Sequence, residues 1–149
     1  MKIIVLAGGY SPERDVSLSS GSLIANALME RGHEVFFLDP WLGIKAGERG
    51  HYRTREDGLG FAYEIGGEAP DLELLGAGTG AKISLIGPGV LEACREADMV
   101  FIALHGSAGE NGQIQAVLEA YGIPHTGSGY MGSLLAMDKN ISKILMRAA

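Results

Sequence analysis

Three short segments carry the residues whose types and spacing could do chemistry. The first, Gly8-Gly9-Tyr10-Ser11-Pro12-Glu13-Arg14-Asp15-Val16-Ser17, sets two glycines after an apolar run and an acid just before a helical pattern. Glycines in that place could bring backbone N–H groups close to an anion. The segment does not form G-x-G-x-x-G and has no G-x-x-x-x-G-K-[ST] lysine, so dinucleotide and P-loop readings lack their main support. A carboxylate at Glu13 would repel a phosphate and suits an ammonium group. The plainer alternative is that Glu13 and Asp15 only favour the helix start, worth about 0.3–1 kcal/mol through the macrodipole.

The second segment runs His105-Gly106-Ser107-Ala108-Gly109-Glu110-Asn111-Gly112-Gln113-Ile114-Gln115-Ala116. A histidine at the end of a buried strand can present one ring nitrogen to a ligand while the protein holds the other. The glycines permit close backbone approach that side chains would block. Against this stands a satisfied histidine in a helix-entry turn, with Glu110 and Asn111 as caps. The third segment is Thr126-Gly127-Ser128-Gly129, leading to Met137-Asp138-Lys139. Alone it is an ordinary turn and helix start, and Lys139 an ordinary solvated lysine, or else a mobile point charge for a phosphate. His33, His51, His105 and His125 show no metal-ligand spacing among themselves. No serine sits in a G-x-S-x-G elbow.

The elements that must position these segments are legible from periodicity. Lys2 to Ala7 reads as a buried parallel strand, short and stopped by glycine. Val16, Ser20, Leu23, Ile24, Ala27 and Leu28 recur at helical spacing before Gly32, and Val35 to Leu38 form a second strand closed by Asp39-Pro40. From about Trp41 to Gly80 the pattern dissolves into a glycine-rich insertion. Within and just after it, only Phe61–Ile65 and Lys82–Ile86 look strand-like, which predicts a weak surface hairpin with some local order. Val90, Leu91 and Cys94 mark a short helix, and Met99 to Leu104 a third strand running into His105. Ile114, Val117, Leu118 and Tyr121 mark the next helix, Ile123 to Thr126 a fourth short strand, and Tyr130 to Ala149 a last helical stretch. The sum predicts an α/β fold: an open, mainly parallel sheet with helices on both faces. In such sheets ligands bind at the carboxyl ends of strands, where all three segments lie.

Composition narrows the class. A chain of 149 residues is the size of one domain. A net charge of −6 gives no support to nucleic-acid binding. The one cysteine, Cys94, excludes a disulfide within the chain. The amino terminus lacks the long apolar region and small-residue cleavage site of a signal peptide. No stretch reaches the ~20 apolar residues of a membrane span. A cytoplasmic location is expected.

Taken together and in order, the three segments resemble the D-alanine–D-alanine ligase family. The stretch His105-Gly106-x-x-Gly109-Glu110-Asn111-Gly112-x-Ile114-Gln115-Ala116 is the most specific part, and the resemblance covers nearly the whole chain outside the insertion. It implies the Rossmann-like amino-terminal (pre-ATP-grasp, substrate) domain of an ATP-grasp ligase, with the ATP-grasp domains absent from residues 1–149. Such an enzyme uses ATP and Mg²⁺ to join two D-alanines through an acyl phosphate, for peptidoglycan precursors. By resemblance, Glu13 is the carboxylate near the ammonium of the first D-alanine, and His105 a donor to its carboxyl. Val16 packs beside the methyl group, Gly106 keeps the surface beneath the substrate thin, and Lys139 approaches the nucleotide phosphates. Mg²⁺ ligands are expected outside this segment, no ligase activity is expected of it alone, and a homodimer is expected. Two rival readings are a free-standing Rossmann-like module for a nucleotide or amino acid, and a dimerisation piece of a larger enzyme. The reading frame after Ala149 discriminates the first, and concentration-dependent association through the last helix the second.

Overall fold

A strand rich in Ile and Val needs cover on both faces. In the computed structural model, which describes residues 1–45, 51–77 and 84–148, that strand is β1 (Lys2–Leu6), at the centre of a parallel sheet. β2 (Glu34–Leu38) and β3 (Met99–Ile102) flank it in the order β2-β1-β3. Ile3 pairs with Val35 and Met99, and Leu6 with Leu38 and Ile102.

The pleat then sends alternate side chains to opposite sides. Ile4, Leu6, Leu38 and Val100 pack with α3 (Val90–Glu96) and α5 (Gln113–Ala120) through Val90, Cys94, Ile114 and Leu118. Val5, Ala7, Val35 and Ala103 pack with α1 (Arg14–Glu30) through Ala25 and Met29. Helices therefore cover both faces, as the periodicity predicts. Helix α1 comes closest at Gly21, where a Cβ would lie 2.6 Å from Ala7 Cβ. Cys94 is fully buried, and that burial pushes its thiol pKa up to about 12.

Three expectations need correction. The predicted fourth strand is only an isolated parallel bridge between Val100 and His125. The Val100 N–H donates to the Pro124 carbonyl and its carbonyl accepts from Thr126 N–H. Pro124 has no N–H to extend a ladder.

The hairpin around Phe61–Ile65 does not form: this stretch belongs to no strand. Instead the Asn26 amide, on α1, donates to the Phe61 carbonyl and accepts its N–H, both at 2.8 Å. One side chain thus satisfies the backbone groups that a partner strand would have satisfied. The Phe61 ring stacks on Phe37 with centroids 5.2 Å apart. Tyr63 Oη donates to Asp15 at 2.7 Å, which raises the pKa of the Tyr63 hydroxyl. Lys82 and Ile83 lie outside the described residues, and Leu85 and Ile86 form a bend. The expected local order does appear, as a 3-10 turn at Arg55–Asp57, an antiparallel bridge from Arg53 to Val35, and α2 (Leu72–Ala77).

The last helical stretch is two helices, α6 (Tyr130–Met137) and α7 (Lys139–Ala148). Asp138 between them adopts an extended backbone, and its Oδ1 accepts the N–H groups of Asn140 and Ile141 at 3.0 and 2.9 Å. An aspartate in that role starts a helix rather than continuing one. Among the described residues no helix is long and apolar enough to cross a membrane.

Candidate functional site

The carboxyl ends of β1 and β3 open into a hollow lined by Gly9, Tyr10, Trp41, Leu104, His105 and Ala108, among others. The loop after β1 is held from beneath by a buried ion pair. Arg14 Nη2 lies 2.5 Å from Asp39 Oδ2, and Arg14 Nη1 donates to the Gly9 carbonyl at 2.9 Å. Asp39 Oδ1 accepts backbone N–H groups from Gly9, Trp41 and Leu42. A buried pair is tolerated when its remaining lone pairs and protons are satisfied in this way. The Tyr10 ring packs on Trp41 with centroids 4.5 Å apart.

A second tie fixes α1 against both strands. Ser17 Oγ accepts the Gly8 N–H at 2.8 Å and donates to the Ala103 carbonyl at 2.7 Å. Since Gly8 follows β1 and Ala103 follows β3, this hydroxyl sets the height of the helix over the strand ends. One turn further, Ser20 Oγ lies 3.1 Å from His105 Nε2. Glu13, Ser17 and Ser20 share one face of the helix entry by their spacing of four and three.

Glu13 occupies the residue before α1 and makes no side-chain capping hydrogen bond. Its carboxylate lies over Gly106: a Cβ at Gly106 would stand 3.2 Å from Glu13 Oε1 and 2.8 Å from Ser11 Oγ. Gly106 also has φ of +66°, so side chains are excluded there by conformation as well as by space. The short helix α4 (Ser107–Glu110) brings Glu110 back, its Oε1 3.7 Å from His105 Nδ1. One ligand atom each of Glu13, His105 and Glu110 lies within 4.8 Å of the other two.

The structure thus brings together Glu13, His105 and Gly106. Of the sequence-derived site residues, His105 and Gly106 line the hollow, whereas Glu13, Val16, 45% exposed on the first turn of α1, and Lys139, exposed at the first residue of α7, do not. Glu110 is absent from the sequence-derived site, where it is a helix cap. The capping falls to Asn111, whose Oδ1 accepts the Gln113 N–H at 3.1 Å. Ser17, Ser20 and the Arg14–Asp39 pair are also absent from it. The one signal for the serines is their helical spacing from Glu13; nothing local links Arg14 to Asp39. Chemically, two carboxylates and an imidazole on a glycine-thinned floor suit a small cation, above all an ammonium group with a polar neighbour.

The family model described as D-ala D-ala ligase N-terminus matches residues 2–128. A curated relative called D-alanine--D-alanine ligase, from Pediococcus pentosaceus, is 45% identical over 98% of this chain and 42% of its own length. One of the same description from Lacticaseibacillus casei is 38% identical over the same shares. Among solved structures, the Bacillus anthracis D-alanine--D-alanine ligase complexed with ATP superposes with a TM-score of 0.62 at 27% identity. That match covers 99% of this chain and 37% of the other. The Coxiella burnetii ligase gives 0.60 at 28% identity, over 99% and 42%. The chain spans about two fifths of the length of the relatives it matches.

Proposed function

Because this chain belongs to the D-alanine–D-alanine ligase family, matching its amino-terminal domain, we propose that it forms one wall of the first D-alanine site of an ATP-dependent ligase. The observation that carries the reading is the convergence of Glu13, His105 and Glu110 within 4.8 Å at the strand ends. The carboxylates receive the D-alanine ammonium, and the imidazole faces its carboxyl group. Gly106 lets the amino acid lie close to the backbone. Val16 borders the methyl group from α1. Lys139 supplies positive charge to the nucleotide phosphates, as a flexible point charge can.

In the proposed reaction a carboxylate oxygen of the first D-alanine attacks the γ-phosphorus of ATP, and ADP leaves. The amine of the second D-alanine then attacks the acyl phosphate carbon, phosphate leaves, and the dipeptide forms. Its use is peptidoglycan precursor synthesis in the cytoplasm, by a homodimer. Residues 1–149 act as the pre-ATP-grasp substrate domain, with the insertion at about 41–80. Phosphoryl transfer depends on charge neutralisation by metal and cationic groups. The Glu13, His105 and Glu110 set does not fit Mg²⁺, which takes oxygen ligands in an octahedron rather than an imidazole. Its ligands are assigned to the ATP-grasp portion of the family. Residues 1–149 by themselves should therefore release no ADP.

The test is Glu13→Gln in the protein translated from the complete reading frame. Loss of a charge-assisted contact of about 1.5–3 kcal/mol should lower kcat/KM for D-alanine by roughly 10- to 150-fold. The melting temperature should stay unchanged, because the side chain is exposed and makes no cap. Unaltered turnover and D-alanine affinity would remove Glu13 from the site.

A further inference from the structure

The side chain of His105 is 37% exposed, so packing alone does not hold its ring. Glu110 Oε1 stands 3.7 Å from Nδ1, beyond hydrogen-bonding range. Among the described residues, the one hydrogen bond to the ring joins Nε2 to Ser20 Oγ at 3.1 Å. Ser20 is itself firmly placed. It lies one turn after Ser17, whose hydroxyl ties Gly8 to Ala103. It also precedes Gly21, where a Cβ would stand 2.6 Å from Ala7 Cβ and 3.1 Å from the Phe37 ring. The backbone that carries Ser20 is therefore pressed against the sheet and pinned to two strand ends. A hydroxyl both donates and accepts, so Ser20 can hold Nε2 in either tautomer of the ring. The Ser17 carbonyl, 3.3 Å from Ser20 Oγ, takes the hydroxyl proton when the ring nitrogen does not. In both cases Nδ1 is the ring nitrogen left for a ligand, on the side of Glu110.

We propose that Ser20 is a positioning residue for the ligase reaction: it holds Nε2 of His105 so that Nδ1 meets the carboxyl group of the first D-alanine. The inference rests on the D-alanine site proposed above. A ring held before the amino acid arrives has less freedom to lose on binding. A contact group misplaced by about 1 Å costs rate even when it lies outside the chemistry. Ser20 acts on the amino acid only through the imidazole.

The experiment measures D-alanine kinetics in the protein translated from the complete reading frame, for Ser20→Ala, Ser20→Thr, His105→Ala and the Ser20→Ala/His105→Ala double variant. Ser20→Ala should lower kcat/KM roughly 2- to 12-fold, the worth of one hydrogen bond. The loss should fall chiefly on KM for the first D-alanine, because the contact forms before the chemistry and persists through it. Ser20→Thr keeps the hydroxyl and should restore most of the rate. In the His105→Ala background, Ser20→Ala should cost nothing further. Nitrogen NMR without substrate should show the His105 ring nitrogens shifted by Ser20→Ala, with those of His125 in place. Three results each overturn this inference alone: unmoved His105 nitrogens, a further loss in the double variant, or native kinetics in Ser20→Ala while His105→Ala is impaired. Native kinetics in both single variants overturns the role of His105 in the D-alanine site, and this inference with it.

Discussion

Helices α5 and α6 have the same length, eight residues, yet they meet opposite fates. In α5, Ile114, Gln115 and Leu118 are buried, and Ile114 and Leu118 join the core beneath β1 and β3. Helix α6 is more apolar in sequence, with Tyr130, Met131, Leu134, Leu135 and Met137, yet none of its residues is buried. The same holds for α7, where Met146 is 79% exposed. The period of the apolar residues favours a helix; burial depends on which surface the fold sets opposite it. Apolar atoms make up more than about half of the accessible surface of any folded protein, so exposure on α6 and α7 has no stability meaning by itself.

The sharpest break of that comparison is a pair of truncations measured by urea unfolding. Leu118→Ala removes a side chain that is 1% exposed and should destabilise by about 2–5 kcal/mol, the range for buried leucine. Met146→Ala, the same kind of change on α7, should stay within about 0.5 kcal/mol of the native protein. Equal losses at the two positions would mean that α7 packs as tightly as α5.

A smaller loss is expected where the site is anchored rather than where the core is filled. Ser17→Ala strands the Gly8 N–H and the Ala103 carbonyl, both in buried surroundings, at a cost of about 1–3 kcal/mol for each group left without a partner or water. Amide exchange at Gly8 should speed up with it. A native rate there would show that another group, not the serine, holds the two strand ends.

The mildest probe is pH. Cys94, in the α3 half of the same core, has its thiol pKa raised to about 12 by desolvation. Folding therefore favours the neutral thiol. Its contribution is complete below the unfolded value, about 8.5, and is lost as pH climbs toward 12. Between those limits stability should fall by about 1.4 kcal/mol per pH unit from this group. Cys94→Ala should flatten that slope in a denaturant series above pH 9. The native thiol should also resist thiol reagents until the chain unfolds.

The candidate site was readable to different depths. Glu13, His105 and Gly106 stand out because an acid before a helix, a histidine closing a buried strand and a glycine behind it are local patterns. Glu110 was legible only as a cap, since nothing in its neighbourhood tells that α4 turns it back onto His105. The Arg14–Asp39 pair, 25 positions apart, was invisible because no periodicity links a helix start to the end of the next strand. The hairpin reading of Phe61–Ile65 failed for a related reason. Its alternation fits a strand, but Asn26 of α1 took the hydrogen bonds that a strand would have made.

By itself the sequence determined β1, β2, β3 and the helices packed on them, because apolar period and glycine stops are properties of a few neighbouring residues. It also determined the family, through the run from His105 to Ala116. Only the tertiary structure decided that two carboxylates and one imidazole come within 4.8 Å of one another, and which apolar helices are covered. Those outcomes depend on distances between residues far apart in the chain, which are set by how the sheet twists and where each helix lands upon it.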